Sequence, residues 1–375
     1  MLKVPLKKAL MVIGIVALSV TSAGCSPRGG TASRGHMPKT QTGSEKIYST
    51  SFGSIRKVNV NKLAPLCQNA SKPLVIPTYD GSGQANHPKV LYFADSWHNW
   101  KYWMSFTPYP YGNGRYENPS LVVSNNGINW VIPKGLRNPV IGVPADVKRG
   151  GHYSDPHLVM HGSTMELWYR YNPAGVKRRG PSRINRIYRM VSKDGIKWGK
   201  PELVIQSTTS GIYSPAILYD GNKYKMWYSS DDGKLHYTES TNAIKWSKPL
   251  TVNIAMPGYN IWHQDIIKDK GNYELVFSAY RRLRFLNQSL YYAESGDGIH
   301  FGAPTLIVAP SHGRAKLDNQ LIYRSSIVDV NNNYLIYYSA MSTKRQWHIF
   351  RTTLPLHDLR PQVVLTSSKA EHKPI

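Results

Sequence analysis

Three carboxylates, three histidines and an arginine occupy comparable places in this 375-residue chain, each at or near the start of an apolar, strand-like run. They are Glu117 in Tyr116-Glu117-Asn118-Pro119, Asp155 and His157 in Ser154-Asp155-Pro156-His157, His263 and Asp265 in Trp262-His263-Gln264-Asp265, His87 before Pro88, and Arg324 after Tyr323. Carboxyl groups in pairs, one protonated and one ionised, perform general acid–base chemistry, and an imidazole can share the proton. Glu117 as the acid with Asp265 or Asp155 as the base makes such a pair. Asp155 and His157, two residues apart, face one side of a strand. Each carboxylate also has a plainer reading, as a cap or turn acceptor for neighbouring backbone N–H groups. His87, His157 and His263 can be read as metal ligands, but no short ligand spacing joins them, so neither a metal nor a cofactor is expected. The histidines then become substrate contacts together with Tyr213 and Trp262, and Arg324 suits a substrate carboxylate or sulfate.

An internal repeat supplies the elements that must bring these residues together. Its copies are Ser124-Asn125-Asn126-Gly127-Ile128-Asn129-Trp130, Ser192-Lys193-Asp194-Gly195-Ile196-Lys197-Trp198, Ser240-Thr241-Asn242-Ala243-Ile244-Lys245-Trp246 and Ser295-Gly296-Asp297-Gly298-Ile299-His300-Phe301. Asp or Asn accepts local backbone hydrogen bonds, Gly supplies a positive φ, and Ile with the aromatic ring is expected to dock into the core. Alternating strands precede each copy, such as 215–219, 224–228 and 235–239, and the aromatic ends fall at blade-like intervals. A fifth unit keeps the strands at 325–330, 334–339 and 348–353 without the turn motif. No helical pattern intervenes, so the expected fold is all-β, a single five-bladed β-propeller over residues 70–356.

On these turns and on Ser154-Asp155-Pro156-His157, the chain resembles the five-bladed propellers of the glycoside hydrolase family 43, 32 and related furanosidase-like superfamily. The resemblance covers about three quarters of the chain. It implies a sugar bound in a funnel on the propeller axis, where the heads of the innermost strands converge. It also implies three carboxylates. Asp155 matches the second-blade Asp that orients substrate and tunes the acid, but His87 stands where the family has its base Asp, and Ser214 where it has its acid Glu. The implied activity is a glycoside hydrolase with a non-standard carboxylate set, Glu117 and Asp265 replacing the missing groups. The alternative is a catalytically inactive propeller that binds an anionic glycan or cell-wall polymer.

Residues 1–25 run from a basic start through an apolar stretch, too short for a comfortable membrane span, to small residues, the order of a secretory signal. Ser22-Ala23-Gly24-Cys25 resembles a bacterial lipobox, with Ser22 where Leu is usual, which implies a lipid on Cys25. Residues 26–69, rich in Ser, Gly, Thr and Lys at their start, read as a flexible tether and lead-in, and 357–375 as a tail. The protein is thus expected outside the cytoplasm, anchored to a membrane. Two cysteines exclude a disulfide-stapled scaffold, and 41% hydrophobic residues exclude a disordered polycation. The net charge of +25 includes the clusters Lys177-Arg178-Arg179 and Arg281-Arg282-Leu283-Arg284. These read as a rim for an acidic polysaccharide, as a generally basic surface, or as a surface drawn to anionic lipid. No nucleic-acid module is present, so nucleic acid is not an expected partner.

Overall fold

The structure is a computed structural model that describes residues 65–175, 184–208 and 210–355. The signal segment 1–25 with Cys25, residues 26–64, the 357–375 tail and the basic run 177–183 lie outside the described residues.

The alternating runs form 18 strands in five antiparallel sheets. Blade one holds β1 (Ala85–Trp97), β2 (Trp100–Pro108) and β3 (Ser120–Ser124). Blade two holds β4 (His152–His161), β5 (Thr164–Asn172), β6 (Asn185–Ser192) and β7 (Glu202–Ser207). Blade three holds β8 (Tyr213–Asp220), β9 (Lys223–Ser229), β10 (Leu235–Ser240) and β11 (Leu250–Thr251). Blade four holds β12 (Tyr259–Asp269), β13 (Asn272–Arg281), β14 (Ser289–Ser295) and β15 (Thr305–Val308). Blade five holds β16 (Leu321–Val330), β17 (Asn333–Met341) and β18 (Trp347–Pro355). The innermost strands pack on one another in order, β1 on β4, β4 on β8, β8 on β12, β12 on β16 and β16 back on β1, which closes the five-bladed propeller. Two exposed sheet edges are covered by the lead-in. The N–H groups of Leu66 and Cys67 bond the carbonyls of Leu306 and Ile307 on blade four, and that of Leu74 bonds Ile349 on blade five.

The repeated turns work as latches between blades. In three copies the serine hydroxyl accepts the glycine N–H, and the Asn or Asp carbonyl or carboxylate accepts the next two N–H groups. The glycine then lies against an aromatic ring of the preceding blade. A Cβ on Gly195, where φ is +73°, would sit 2.3 Å from Trp103 on β2. Trp227 Nε1 donates to the Gly298 carbonyl at 2.7 Å, and the Tyr337 hydroxyl donates to that of Gly127 at 3.0 Å across the blade five–blade one junction. The expectation that the isoleucine docks into the core holds in part: Ile196 and Ile299 are half-buried and pack against the core, whereas Ile128 and Ile244 are exposed.

Every innermost strand carries a bulge at its head, at 86–89, 154–157, 213–216, 261–263 and 322–325. In blades one to three the bulged residue is a non-glycine held at positive φ and followed by proline: His87 at 56°, Asp155 at 54° and Ser214 at 49°. Each such residue costs of order 1–3 kcal/mol and persists only where the surroundings impose it. Three equivalent strained positions facing one axis mark where the fold aims side chains.

Candidate active site

The bulges bring His87 (β1), Asp155 (β4) and His263 (β12) to one point, all three buried. Asp155 Oδ1 lies 3.6 Å from His87 Nε2 and 3.8 Å from His263 Nδ1. The other oxygen, Oδ2, accepts from Arg170 at 2.9 Å and from Ser154 at 3.1 Å. Arg324 reaches Oδ1 at 3.4 Å. Burial alone would push the Asp155 carboxyl up, but the electrostatic surroundings of His87, Arg170, His263 and Arg324, of which the two guanidiniums carry fixed charge, outweigh it and hold the group well below the usual carboxylate range. Burial is the main reason that the His263 imidazole is pushed well below its ordinary value, so His263 is neutral near pH 7.

Glu117, after a short turn between β2 and β3, stands behind His87. Its Oε1 lies 3.1 Å from His87 Nδ1, and its Oε2 lies 3.5 Å from His152 Nε2. His87 Nδ1 also lies 3.2 Å from the Thr107 hydroxyl, its hydrogen-bond partner, and His87 Nε2 turns toward Asp155. Three potential ligand atoms face one another: His87 Nε2, Asp155 Oδ1 and a nitrogen of His263. Among the described residues, His87 Nε2 and both His263 nitrogens have no hydrogen-bond partner. Their ligand atoms all lie within 4.8 Å of one another. A tetrahedral cation with bonds of about 2.1 Å separates its ligands by about 3.4 Å, close to what is seen, and two imidazoles with one carboxylate plus an open position is a catalytic zinc donor set. Glu117 supplies the carboxylate that orients a ligating imidazole from behind.

The structure revises several sequence expectations. The absence of a metal was argued from spacing, yet the candidate ligands come from blades one, two and four, and the third is Asp155 in place of His157. The bulge at 154–157 breaks the two-residue period, so His157 does not share the side of Asp155. His157 is buried below the centre: Arg324 donates to its Nδ1 at 3.2 Å, and its Nε2 faces the Ile217 carbonyl at 3.0 Å. Arg324 is likewise fully buried. It props Asp155 and His157 and is not open to a substrate anion. Asp265, expected as a base, is buried with both oxygens on Lys89, at 2.8 and 2.9 Å, and accepts from the Ile327 N–H at 3.0 Å. That ion pair sits across the channel, and an apolar cavity of about 300 Å³ whose walls include Val90, Leu158, Ile217 and Ile327 adjoins it. Tyr213 and Trp262 stay half-buried, their rings 5.2 Å apart, with Arg170 over the Tyr213 ring. Trp262 Nε1 donates to the Tyr323 hydroxyl, whose ring packs 4.0 Å from that of His263. Arg170, Lys89 and His152 were not foreseen. The only signal for the first two is a cation inside an apolar strand, in Leu167-Trp168-Tyr169-Arg170-Tyr171 and His87-Pro88-Lys89-Val90-Leu91. A second cavity, about 730 Å³ and lined by His161, Glu166, Arg189 and Tyr224, shares no residue with this centre.

The fold and site define a five-bladed propeller with a buried histidine–carboxylate centre on its axis. Comparison with known proteins agrees on the fold. The chain is 25% identical over 294 residues to the A type blood N-acetyl-α-D-galactosamine deacetylase of Flavonifractor plautii, covering 65% of this chain. It spans only 37% of the length of that relative. The crystal structure of an N-acetylgalactosamine deacetylase from F. plautii, in complex with blood group B trisaccharide, superposes with a TM-score of 0.68 at 21% identity, covering 76% of this chain and 95% of that one. An exo-β-1,3-galactanase from Phanerochaete chrysosporium, solved with β-1,3-galactotriose, superposes with a TM-score of 0.55 at 13% identity, covering 80% and 67%. No protein-family model matches the chain.

Proposed function

We propose that the protein is a carbohydrate-active hydrolase that removes an N-acyl group from an amino sugar, with a divalent cation held by His87, Asp155 and His263. The observation that carries this reading is the convergence of His87, Asp155 and His263, all buried, with ligand atoms within 4.8 Å of one another. The deacetylase of F. plautii, similar over 65% of this chain, supports the same chemistry. When bound, the cation supplies a Lewis acid for the acyl carbonyl and an activated water. The chain's own residues do the rest. Glu117, 3.1 Å from His87 Nδ1, stands behind that ligand and, with His152 at 3.5 Å, forms the pair placed to carry a proton. Arg170 and Arg324 keep Asp155 ionised. Tyr213 and Trp262 offer ring faces to a sugar. The centre is buried beneath these rings, which suits a small substituent projecting from a sugar.

Glycosidic cleavage, with Glu117 as acid and Asp155 as base, is the second reading, favoured by the galactanase-like fold. Both follow from one experiment. Full-length protein is incubated with N-acetylated oligosaccharides, with and without chelator and added Zn²⁺, and both free acetate and new reducing ends are measured. Acetate released only when the cation is present supports deacylation. Reducing ends that are insensitive to chelator overturn it in favour of glycosidic cleavage, and retention of glycan with neither product overturns both in favour of a binding propeller. Export with a lipid on Cys25 belongs to the same proposal, supported by the order of residues 1–25. Metabolic labelling with a fatty acid, lost in Cys25→Ala, tests it.

A further inference from the structure

In a propeller blade the innermost strand starts on the funnel side, so the connection between the second and third strands returns to that side. In blade four this connection joins β13 to β14 and reads Arg282-Leu283-Arg284-Phe285-Leu286-Asn287-Gln288. Backbone bonds from Arg284 N to Arg281 O and from Asn287 N to Arg284 O wind it into two successive turns, and the Ile322 N–H pins its end at the Gln288 carbonyl. Leu283, held at a φ of 71°, is fully exposed, and Leu286 is 53% exposed. Phe285 packs 5.8 Å from the Trp262 ring, which ties the loop to the funnel mouth. Arg281, Arg282 and Arg284 are exposed around the leucines. Toward blade five the neighbouring funnel-side connections add exposed Arg314, Lys316 and Arg345, their acid Asp318 being buried against Asn69, while toward blade three the β9–β10 connection adds exposed Asp231, Asp232 and Lys234.

We propose that this loop docks the funnel mouth onto an anionic lipid bilayer, with Leu283 and Leu286 entering the headgroup–acyl boundary and the arginines on lipid phosphates. The charge fits any polyanion, but the leucines decide the partner. An anionic glycan offers an aliphatic side chain nothing to bury against, whereas a bilayer offers hydrocarbon at the depth that the arginine stems span. A fully exposed Leu beside Leu286 and Phe285 on an otherwise well-packed molecule is the kind of apolar patch that marks a contact surface. The surface potential of acidic lipids adds attraction for each basic residue near it. The inference does not depend on which bond the axial centre cleaves.

Hydrogen exchange of the full chain in the presence of vesicles tests it, because the readout is local to the loop and blind to whatever the N-terminal segment contributes. Vesicles of phosphatidylcholine with roughly a quarter phosphatidylglycerol should slow the amides of residues 282–287, and pure phosphatidylcholine should not. In Leu283→Ser/Leu286→Ser, two exposed positions outside the axial centre, the vesicle-induced slowing should fall roughly tenfold. No slowing with anionic vesicles overturns the proposal. So does slowing that the double variant retains in full, or equal slowing by soluble polygalacturonate, which would assign the loop to a glycan.

Discussion

Replacing His263 by leucine should make the cation-free protein more stable and the cation-loaded protein less so. Both ring nitrogens of His263 are buried without a partner. An unsatisfied buried polar atom costs about 1–3 kcal/mol. Leucine has nearly the volume of histidine, so the swap removes that cost for two atoms against two losses. The ring contact with Tyr323 at 4.0 Å is worth about 0.5–1.5 kcal/mol, and the change of shape costs about 1 kcal/mol. The balance favours the variant by about 2 kcal/mol, roughly 4 °C in Tm for a domain of this size. With Zn²⁺ at about 100 times its dissociation constant, the wild type gains about 2.7 kcal/mol by mass action, while a site with two remaining ligands gains little. The order of melting should therefore reverse. Calorimetry of both proteins in chelator and in Zn²⁺ measures all four values. A variant that melts several degrees below wild type in chelator would show the nitrogens to be satisfied, and an equal Zn²⁺ shift in both would place the cation elsewhere. Either outcome refutes the argument.

Lys89→Met should destabilise by about 3–5 kcal/mol in urea titration, because Asp265 is left buried and unpaired, while the double variant Lys89→Met/Asp265→Leu recovers most of that loss; if Lys89→Met costs under 1 kcal/mol, the two groups are not the buried ion pair described. Gly195→Ala combines a φ of +73° with a Cβ 2.3 Å from Trp103, so it should lower stability by about 2 kcal/mol or more, where Gly162→Ala, open on all sides, pays only the backbone strain. Stability should also fall on acidification. Burial first, then Lys89 and Arg324, hold His157 below its ordinary value of 6.5, and burial does the same for His263. The unfolded chain therefore binds more protons as pH falls through 6.5, and Asp155 adds the same sign below 3.8. Urea midpoints at pH 7.5 and pH 5 measure this, and a higher midpoint at the lower pH contradicts it.

The five units were legible because their signals are local. A Ser, an Asn or Asp two residues on and a Gly write a turn without help from the rest of the chain, and period-2 runs write the strands between. The partner of that turn was not legible. Gly195 is required by Trp103 in another blade, a contact that no residue near the turn announces. The same limit governs the site. Dipeptides such as His87-Pro88 and Asp155-Pro156 marked the strand heads correctly, because a proline after a bulged residue is itself a local signal. The bulge then rotates Asp155 away from the parity that would pair it with His157, and a residue count cannot show that. Lys89 and Asp265, 176 residues apart, meet only through closure of the ring, so a structural ion pair reads in sequence as a spare carboxylate.

The cations that closure brings together bear on the choice of chemistry. A glycosidase needs one carboxyl group that stays protonated until the leaving oxygen takes its proton. Asp155 cannot be that group: burial would raise it, but His87, Arg170, His263 and Arg324 surround it and hold it ionised. Asp265 spends both oxygens on Lys89. That leaves Glu117, whose carboxylate lies 3.1 Å from His87 Nδ1 and 3.5 Å from His152 Nε2. The axis holds an anionic Asp155 and a neutral His263 together. Those are the protonation states that a divalent cation demands of its ligands and that acid catalysis at a glycosidic oxygen does not. The strained heads of blades one and two, and the two unpaired nitrogens of His263, are then costs that binding a cation would offset.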